Sequence, residues 1–165
     1  MGGIHVGYQG NERADQLAKE ATLRPSLDIL IPKPTSSLKR DIRTVLIDQW
    51  NDRWFLSSNG RQTYKYIPLV GLKLVTQIPQ VVHFLTNHGR FQFYFFRFGL
   101  SNTQNCSCGA IGTADHYTLQ CPLNLDLSRK LVYDTDNPAT LIESKSNQLI
   151  IKEIVDKVDS IIHRI

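Results

Sequence analysis

All three cysteines of the chain fall within sixteen positions, as Cys106-Ser107-Cys108-Gly109 and, beyond His116, Cys121. Seven residues separate Cys108 from His116 and four separate His116 from Cys121. Three thiolates and one imidazole form a closed tetrahedral ligand set for Zn²⁺, and soft sulfur favours Zn²⁺ over Mg²⁺ or Ca²⁺. A metal held this way would be structural, because four protein ligands leave no open position. It would pin a short, loop-rich knuckle that lacks a core of its own. Gly109 permits the tight turn that such a knuckle needs. A single residue between Cys106 and Cys108 is shorter than the usual zinc spacing of about two to four. The alternative is a set of buried free cysteines beside a histidine satisfied by other partners.

Around this cluster the apolar residues recur at helical spacing, so the expected fold is mainly α. Thr35 or Ser36 caps a helix over 35–58, with Leu38, Ile42, Val45, Leu46, Trp50 and Trp54 on one stripe, and Asn59-Gly60 ends it. Both tryptophans continue the stripe and are expected to anchor the core. The stretch 61–77 is left irregular, because Tyr64, Tyr66 and Ile67 favour extended backbone while Pro68 and Gly71 interrupt it. Pro79 opens a short helix through Val81, Val82 and Leu85; Thr86-Asn87-His88-Gly89 turns the chain; Phe91, Tyr94, Phe95 and Phe98 mark a second helix closed by Gly99. A terminal helix starts at Leu149 or Ile150 and carries a stripe through Ile162, expected to pack on the 38–54 helix. No apolar run approaches the ~20 residues that span a bilayer, and the terminal helix mixes both charge signs on its polar face, so no membrane partner is expected. With an odd cysteine count and no apolar leader, an intracellular location is expected, nuclear or cytoplasmic.

Near the start, Gly7 and Gly10 suggest a loop and Asn11 the cap of a helix with Glu12 in its first turn. Ala14, Leu17, Ala18 and Ala21 would form a small apolar face with Asp15 beside it. Spacing alone leaves two readings for Asp15: a Mg²⁺ ligand for phosphodiester chemistry, or a solvated aspartate favoured by the helix dipole.

The pattern His5-x-Gly7-x-x-Gly10-Asn11-Glu12-x-Ala14-Asp15-x-Leu17-Ala18 resembles the last segment of the type 1 ribonuclease H domain, as found in reverse transcriptase polyproteins of Jockey-like non-LTR retrotransposons. The resemblance implies that Asp15 is a ligand of a two-metal Mg²⁺ site acting on RNA–DNA hybrids, and that His5 assists proton movement and product departure. It also implies three further acidic ligands upstream, whereas Met1-Gly2-Gly3-Ile4 precede His5 where such elements usually carry tryptophan and proline. The chain is therefore expected to be a fragment starting in mid-domain and inactive alone. Thr86 to Leu100, TNHGRFQFYFFRFGL, resembles the region downstream of ribonuclease H in these polyproteins, with Asn87 where glycine is expected. The C-x-C-G … H … C-P order through Cys121-Pro122 resembles a segment they carry at this distance. The resemblance covers residues 5–21 and about 86–125.

The expected organisation is a ribonuclease H remnant over 1–23 (the last helix of an α/β fold), a linker over 24–34 interrupted by Pro25, Pro32 and Pro34, and a helical region over 35–165 with the zinc-knuckle-like loop at 106–121. Net charge is +4, and between Asp52 and Asp115 there is no acidic residue while Arg53, Arg61, Lys65, Lys73, Arg90 and Arg97 alternate with many aromatics. Basic groups neutralise phosphates and rings stack bases, so this interval has the composition of a single-strand binding surface; the plain alternative is that the aromatics are core. Two functions follow. One is hybrid-directed ribonuclease ancestry through His5 and Asp15. The other is a zinc-pinned helical module that contacts nucleic acid or the rest of a polyprotein without catalysis. Asp28, Asp41, Asp48 and Asp52 lack the strand-borne setting that would replace the missing ligands, and His83, His88 and His163 read as ordinary surface or packing histidines.

Overall fold

A computed structural model describes residues 8–25 and 32–162, with side chains to Asp159; His5, Asp28 and His163 lie outside the described residues. Packing divides the chain into Met1–Asp41 and Ile42–Ile165. The described secondary structure is helical, with one isolated antiparallel bridge between Asn105 and Ile111.

In the first unit, α1 runs over Gln9–Thr22 and buries none of its residues. The Tyr8 carbonyl accepts the Asn11 and Glu12 amides at 2.8 and 3.1 Å. Asn11 therefore donates inside the first turn instead of capping it, and the helix begins three residues earlier than its sequence suggests, with Tyr8 at the cap position. The small alanine face stays in solvent. Lys33 pairs with Asp41 at the start of the second helix.

Helix α2, Thr35–Leu56, forms where its stripe predicts. The stripe is not a core face: Leu38, Ile42, Val45, Leu46 and Trp50 are each roughly half exposed. Among the described residues the carboxyl end of α2 is bonded to the segment that follows it, and Asn51 accepts the Val70 amide at 2.7 Å. The Trp54 indole donates to the Ile67 carbonyl at 2.8 Å, and Arg61 donates to the carbonyls of Trp54 and Phe55, the latter at 3.2 Å. These bonds satisfy acceptors that a helix end leaves open. Trp54 thus anchors as expected and Trp50 does not. Gly60, at φ 68°, reverses the chain where a Cβ would lie 2.8 Å from the Trp54 ring.

The stretch expected to be irregular holds helix α3, Arg61–Tyr66. Tertiary bonds override its β-favouring residues: Tyr66 is buried and its hydroxyl is held across the core. Helices α4 (Pro79–Thr86) and α5 (Gln92–Arg97) follow the predicted pair. Asn87 ends α4 in the left-handed conformation, φ 56°. This explains why asparagine can stand where glycine is expected, since asparagine tolerates that region. Beyond the knuckle come short α6 (Leu125–Ser128) and α7 (Thr140–Glu143), then α8 (Lys145–Ile162).

Helix α8 packs on α4, α6 and α7 rather than on α2. Its stripe finds the buried side chains of Val81, Phe84 and Leu141 through Ile151, Ile154 and Val158. Each such side chain contributes about 1.5–3 kcal/mol by leaving water. The first turns of α8 add buried amides. Asn147 exchanges two hydrogen bonds with the Val132 backbone at 3.2 and 2.8 Å, while Gln148 donates to the Ile142 and Val75 carbonyls and accepts from Thr76. Loops far apart in sequence are thereby tied to one helix end.

Candidate metal centre

The knuckle is a tight hairpin followed by a wide turn. The Gly109 amide donates to the Cys106 carbonyl and the Cys106 amide to the Ala110 carbonyl, both at 2.8 Å; Gly109 sits at φ 96°. That hairpin reverses over the four residues 106–109, which places both thiols on one tight turn and makes the short Cys106–Cys108 spacing workable. After Ala114, residues His116–Gln120 form a π turn closed by the Cys121 amide on the His116 carbonyl at 2.7 Å. Such turns are rare and recur at functional sites. Here the turn brings His116 and Cys121 to the same side.

The four predicted ligands converge. Cys106 Sγ lies 3.7 Å from Cys121 Sγ, and Cys108 Sγ lies 3.2 Å from His116 Nε2; all four ligand atoms fall within 4.8 Å of one another. A tetrahedral ion with zinc–sulfur bonds of about 2.3 Å has sulfur–sulfur edges of about 3.8 Å, so the set fits a metal such as Zn²⁺. Cys106, Cys121 and His116 are buried and Cys108 is exposed. Burial pushes the Cys121 thiol up to about 12 and lowers His116, while a hydrogen bond from the Ala110 backbone holds Cys108 below the ordinary thiol range. A buried thiolate needs a counter-charge, and a bound divalent cation supplies it. Cys106, Cys108, His116 and Cys121 would hold the ion, whose contribution is cross-linking.

The flanking residues fasten the knuckle to the helices. Asp115 accepts from Gln62 at 2.6 Å, Lys65 at 2.7 Å and the Tyr66 hydroxyl at 2.9 Å. Burial and the Asp115 charge both raise the Tyr66 hydroxyl above its ordinary range. The Asn87 side chain accepts the Ala114 amide at 2.8 Å. Tyr117 stacks on Phe91 with ring centres 6.1 Å apart, and Asn124 donates to the Tyr117 carbonyl at 3.0 Å. None of Asp115, Ala114 or Asn124 stands out by motif. For Asp115 a signal was available: it is the first acid after a long basic interval, and Lys65 lies in that interval.

Asp15 is on the exposed surface of α1, and among the described residues the Cys/His set is the one cluster of three or more potential ligands. Nothing in the described residues gathers carboxylates at Asp15 for Mg²⁺. His83 and His88 stand apart from the cluster, as expected.

Fold and site define a mainly helical chain with a Cys₃His cluster able to bind a metal such as zinc. Its relatives give the biological setting. The chain is 34% identical over 99 residues to the Retrovirus-related Pol polyprotein from type-1 retrotransposable element R1 of Bradysia coprophila, covering 56% of this chain and 10% of that protein. It is 39% identical over 74 residues to the element R1 3 Pol polyprotein of Nasonia vitripennis, covering 39% of this chain and 19% of that protein. The R1 Pol polyprotein of Popillia japonica is 30% identical over 112 residues, covering 67% of this chain and 45% of that protein. The chain is thus homologous to a part, under half, of these retrotransposon polyproteins. No family model and no solved structure matches it. No helix among the described residues is long and apolar enough to cross a membrane.

Proposed function

We propose that this chain works as a zinc-held, non-catalytic module of a non-LTR retrotransposon polyprotein and contacts nucleic acid. The observation that carries the reading is the convergence of Cys106, Cys108, His116 and Cys121 within 4.8 Å. A closed four-ligand set organises structure and leaves no position for a reacting water. The similarity to R1 Pol polyproteins supports nucleic acid or other polyprotein segments as partners. The basic, aromatic interval after Asp52 supports nucleic acid.

The His5 and Asp15 motif is assigned to ribonuclease H ancestry. Two-metal hydrolysis needs several carboxylates around ions about 4 Å apart, and Asp15 stands without them among the described residues. The chain as given is expected to leave an RNA–DNA hybrid intact in Mg²⁺. Hybrid cleavage abolished by Asp15→Asn would refute this.

Metal content of the purified chain tests the main reading. One Zn²⁺ per chain is expected, lost in Cys121→Ser and His116→Ala. A zinc-free chain that folds identically with and without chelator would overturn it.

A further inference from the structure

Beside the knuckle but without any of its metal ligands, a half-open groove of about 360 Å³ runs between the start of α3, the Asn87 turn and α5. Its size is at the lower end of the ~300–1,000 Å³ range of small-ligand sites. None of its ten lining residues is acidic, while Arg61, His88 and Arg97 line it together with Phe93 and Tyr94. The other polar side chains there are committed: Gln62 to Asp115, Thr63 to the Leu85 carbonyl, Thr86 to the Val82 carbonyl and Asn87 to the Ala114 amide. The two guanidinium groups differ. Among the described residues neither has a carboxylate partner, whereas Lys65 and Arg90 are paired with Asp115 and Asp159.

Arg61 is held in place by its bonds to the end of α2 and lies 4.1 Å from the Tyr64 ring centre, which uses two of its five N–H donors and gives it no carboxylate counter-ion. Arg97 lies 5.7 Å from the Phe98 ring centre. Beside them the rings of His88, Tyr94 and Phe98 form a stepped shelf, with centres 5.3 and 4.8 Å apart and planes tilted by 43° and 50°; His88 and Tyr94 line the groove and Phe98 lies just outside its lining. Phe98 is 56% exposed. Cations without counter-ions next to an open aromatic shelf match a phosphate followed by a base.

We infer that this groove takes one nucleotide of a single-stranded nucleic acid, its phosphate on Arg61 and Arg97 and its base on the Tyr94–Phe98 shelf. The inference rests on the proposed nucleic-acid contact and locates it apart from the metal ligands. A duplex would present its bases already stacked, so the shelf selects single strands.

The test is fluorescence anisotropy of the full, zinc-loaded chain with oligo-uridine, oligo-deoxythymidine, a matched duplex and oligo-glutamate, at several salt concentrations. Single strands are expected to bind more tightly than the duplex or the acidic peptide; the RNA and DNA arms show which strand the groove prefers. Arg97→Glu should weaken binding by about tenfold and lower the salt slope by about 0.7, the value for one phosphate of a single strand. Lys73→Glu makes the same charge change outside the groove and should do much less. Tyr94→Leu should cost about five- to 150-fold with the slope unchanged, as loss of one stacked base requires. His88→Ala, at an exposed position, repeats that reading should the tyrosine variant unfold. If the chain binds no nucleic acid at all, the proposed function fails together with the groove. If it binds but Arg97→Glu behaves like Lys73→Glu, or oligo-glutamate binds equally well, the groove assignment alone is overturned.

Discussion

Replacing Asp115 by alanine removes the acceptor of three hydrogen bonds that join α3 to the residue before a candidate metal ligand. The largest loss is at Tyr66, whose side chain is 1% exposed and whose hydroxyl would be left without its acceptor. Orphaning a buried hydroxyl costs about 1–3 kcal/mol. The part-buried Gln62 bond contributes about 1 kcal/mol more. The Lys65 pair contributes under about 1 kcal/mol, because that lysine side chain is 42% exposed and solvent screens it. Together these predict a destabilisation of roughly 3 kcal/mol. In urea the midpoint should fall by roughly 1–3 M with the slope unchanged. The measurement is urea unfolding followed by tryptophan fluorescence and far-UV circular dichroism at fixed free Zn²⁺, since bound metal adds its own stabilisation. Tyr66→Phe alone should cost about 1 kcal/mol, and the double variant should cost clearly less than the two singles added, because removing both partners leaves no orphan. Strict additivity, or a loss below about 0.5 kcal/mol for Asp115→Ala, would refute the hub.

Two further outcomes follow from the same region. Burial holds His116 below its ordinary range, so the fold favours the neutral imidazole; this contribution is present above the unfolded value of about 6.5 and is lost as pH falls through the lower folded value. Metal binding needs the same deprotonated ring, so zinc release and unfolding should both be acid-driven, readable as free zinc with a chromogenic chelator across pH 7 to about 4. At Asn87 the side chain and the backbone act separately: Asn87→Gly keeps the left-handed turn and loses the Ala114 bond, about 1 kcal/mol, whereas Asn87→Ala loses both and should cost about 2–3 kcal/mol. Thermal unfolding of both variants gives the order, and an alanine variant at least as stable as the glycine one would contradict it.

The features legible in the sequence were those carried by local pattern. The α2, α4 and α8 stripes have the spacing of helices, and four potential ligands of two types in one short segment mark the cluster without any knowledge of the fold. What was hidden depended on distant partners. Helix α3 carries β-favouring tyrosines, and it is helical because Tyr66 and Gln62 reach an aspartate about fifty residues away in sequence. The stripe of α8 points to α2 in sequence, yet α8 packs elsewhere, because amphipathic stripes show that a helix has a partner, not which one; the short α4 and α7 cover α8 while the longer stripe of α2 stays in solvent. Asn11 looked like a cap because its residue type suits that role, yet the Tyr8 carbonyl starts α1 earlier. Asn87 is the reverse case. A departure from the expected glycine supplies both the backbone conformation and an extra hydrogen bond.

Residues 113–117 show why metal and helices should act as one unit. Thr113 accepts the His116 amide through its hydroxyl, Ala114 donates to the Asn87 turn, Asp115 binds α3, His116 faces the thiols and Tyr117 stacks on Phe91. Five consecutive residues thus have partners in four different places, and each contact requires the same local backbone. An ion that fixes His116 therefore restricts Asp115 and Tyr117 as well, lowering the entropy cost of docking α3 and the residues flanking α5. The converse holds by linkage: a chain whose helices are already docked presents the imidazole in place, so the same contacts that stabilise the core raise metal affinity. On this argument Asp115→Ala, which touches no candidate ligand, should weaken zinc binding as well as the fold.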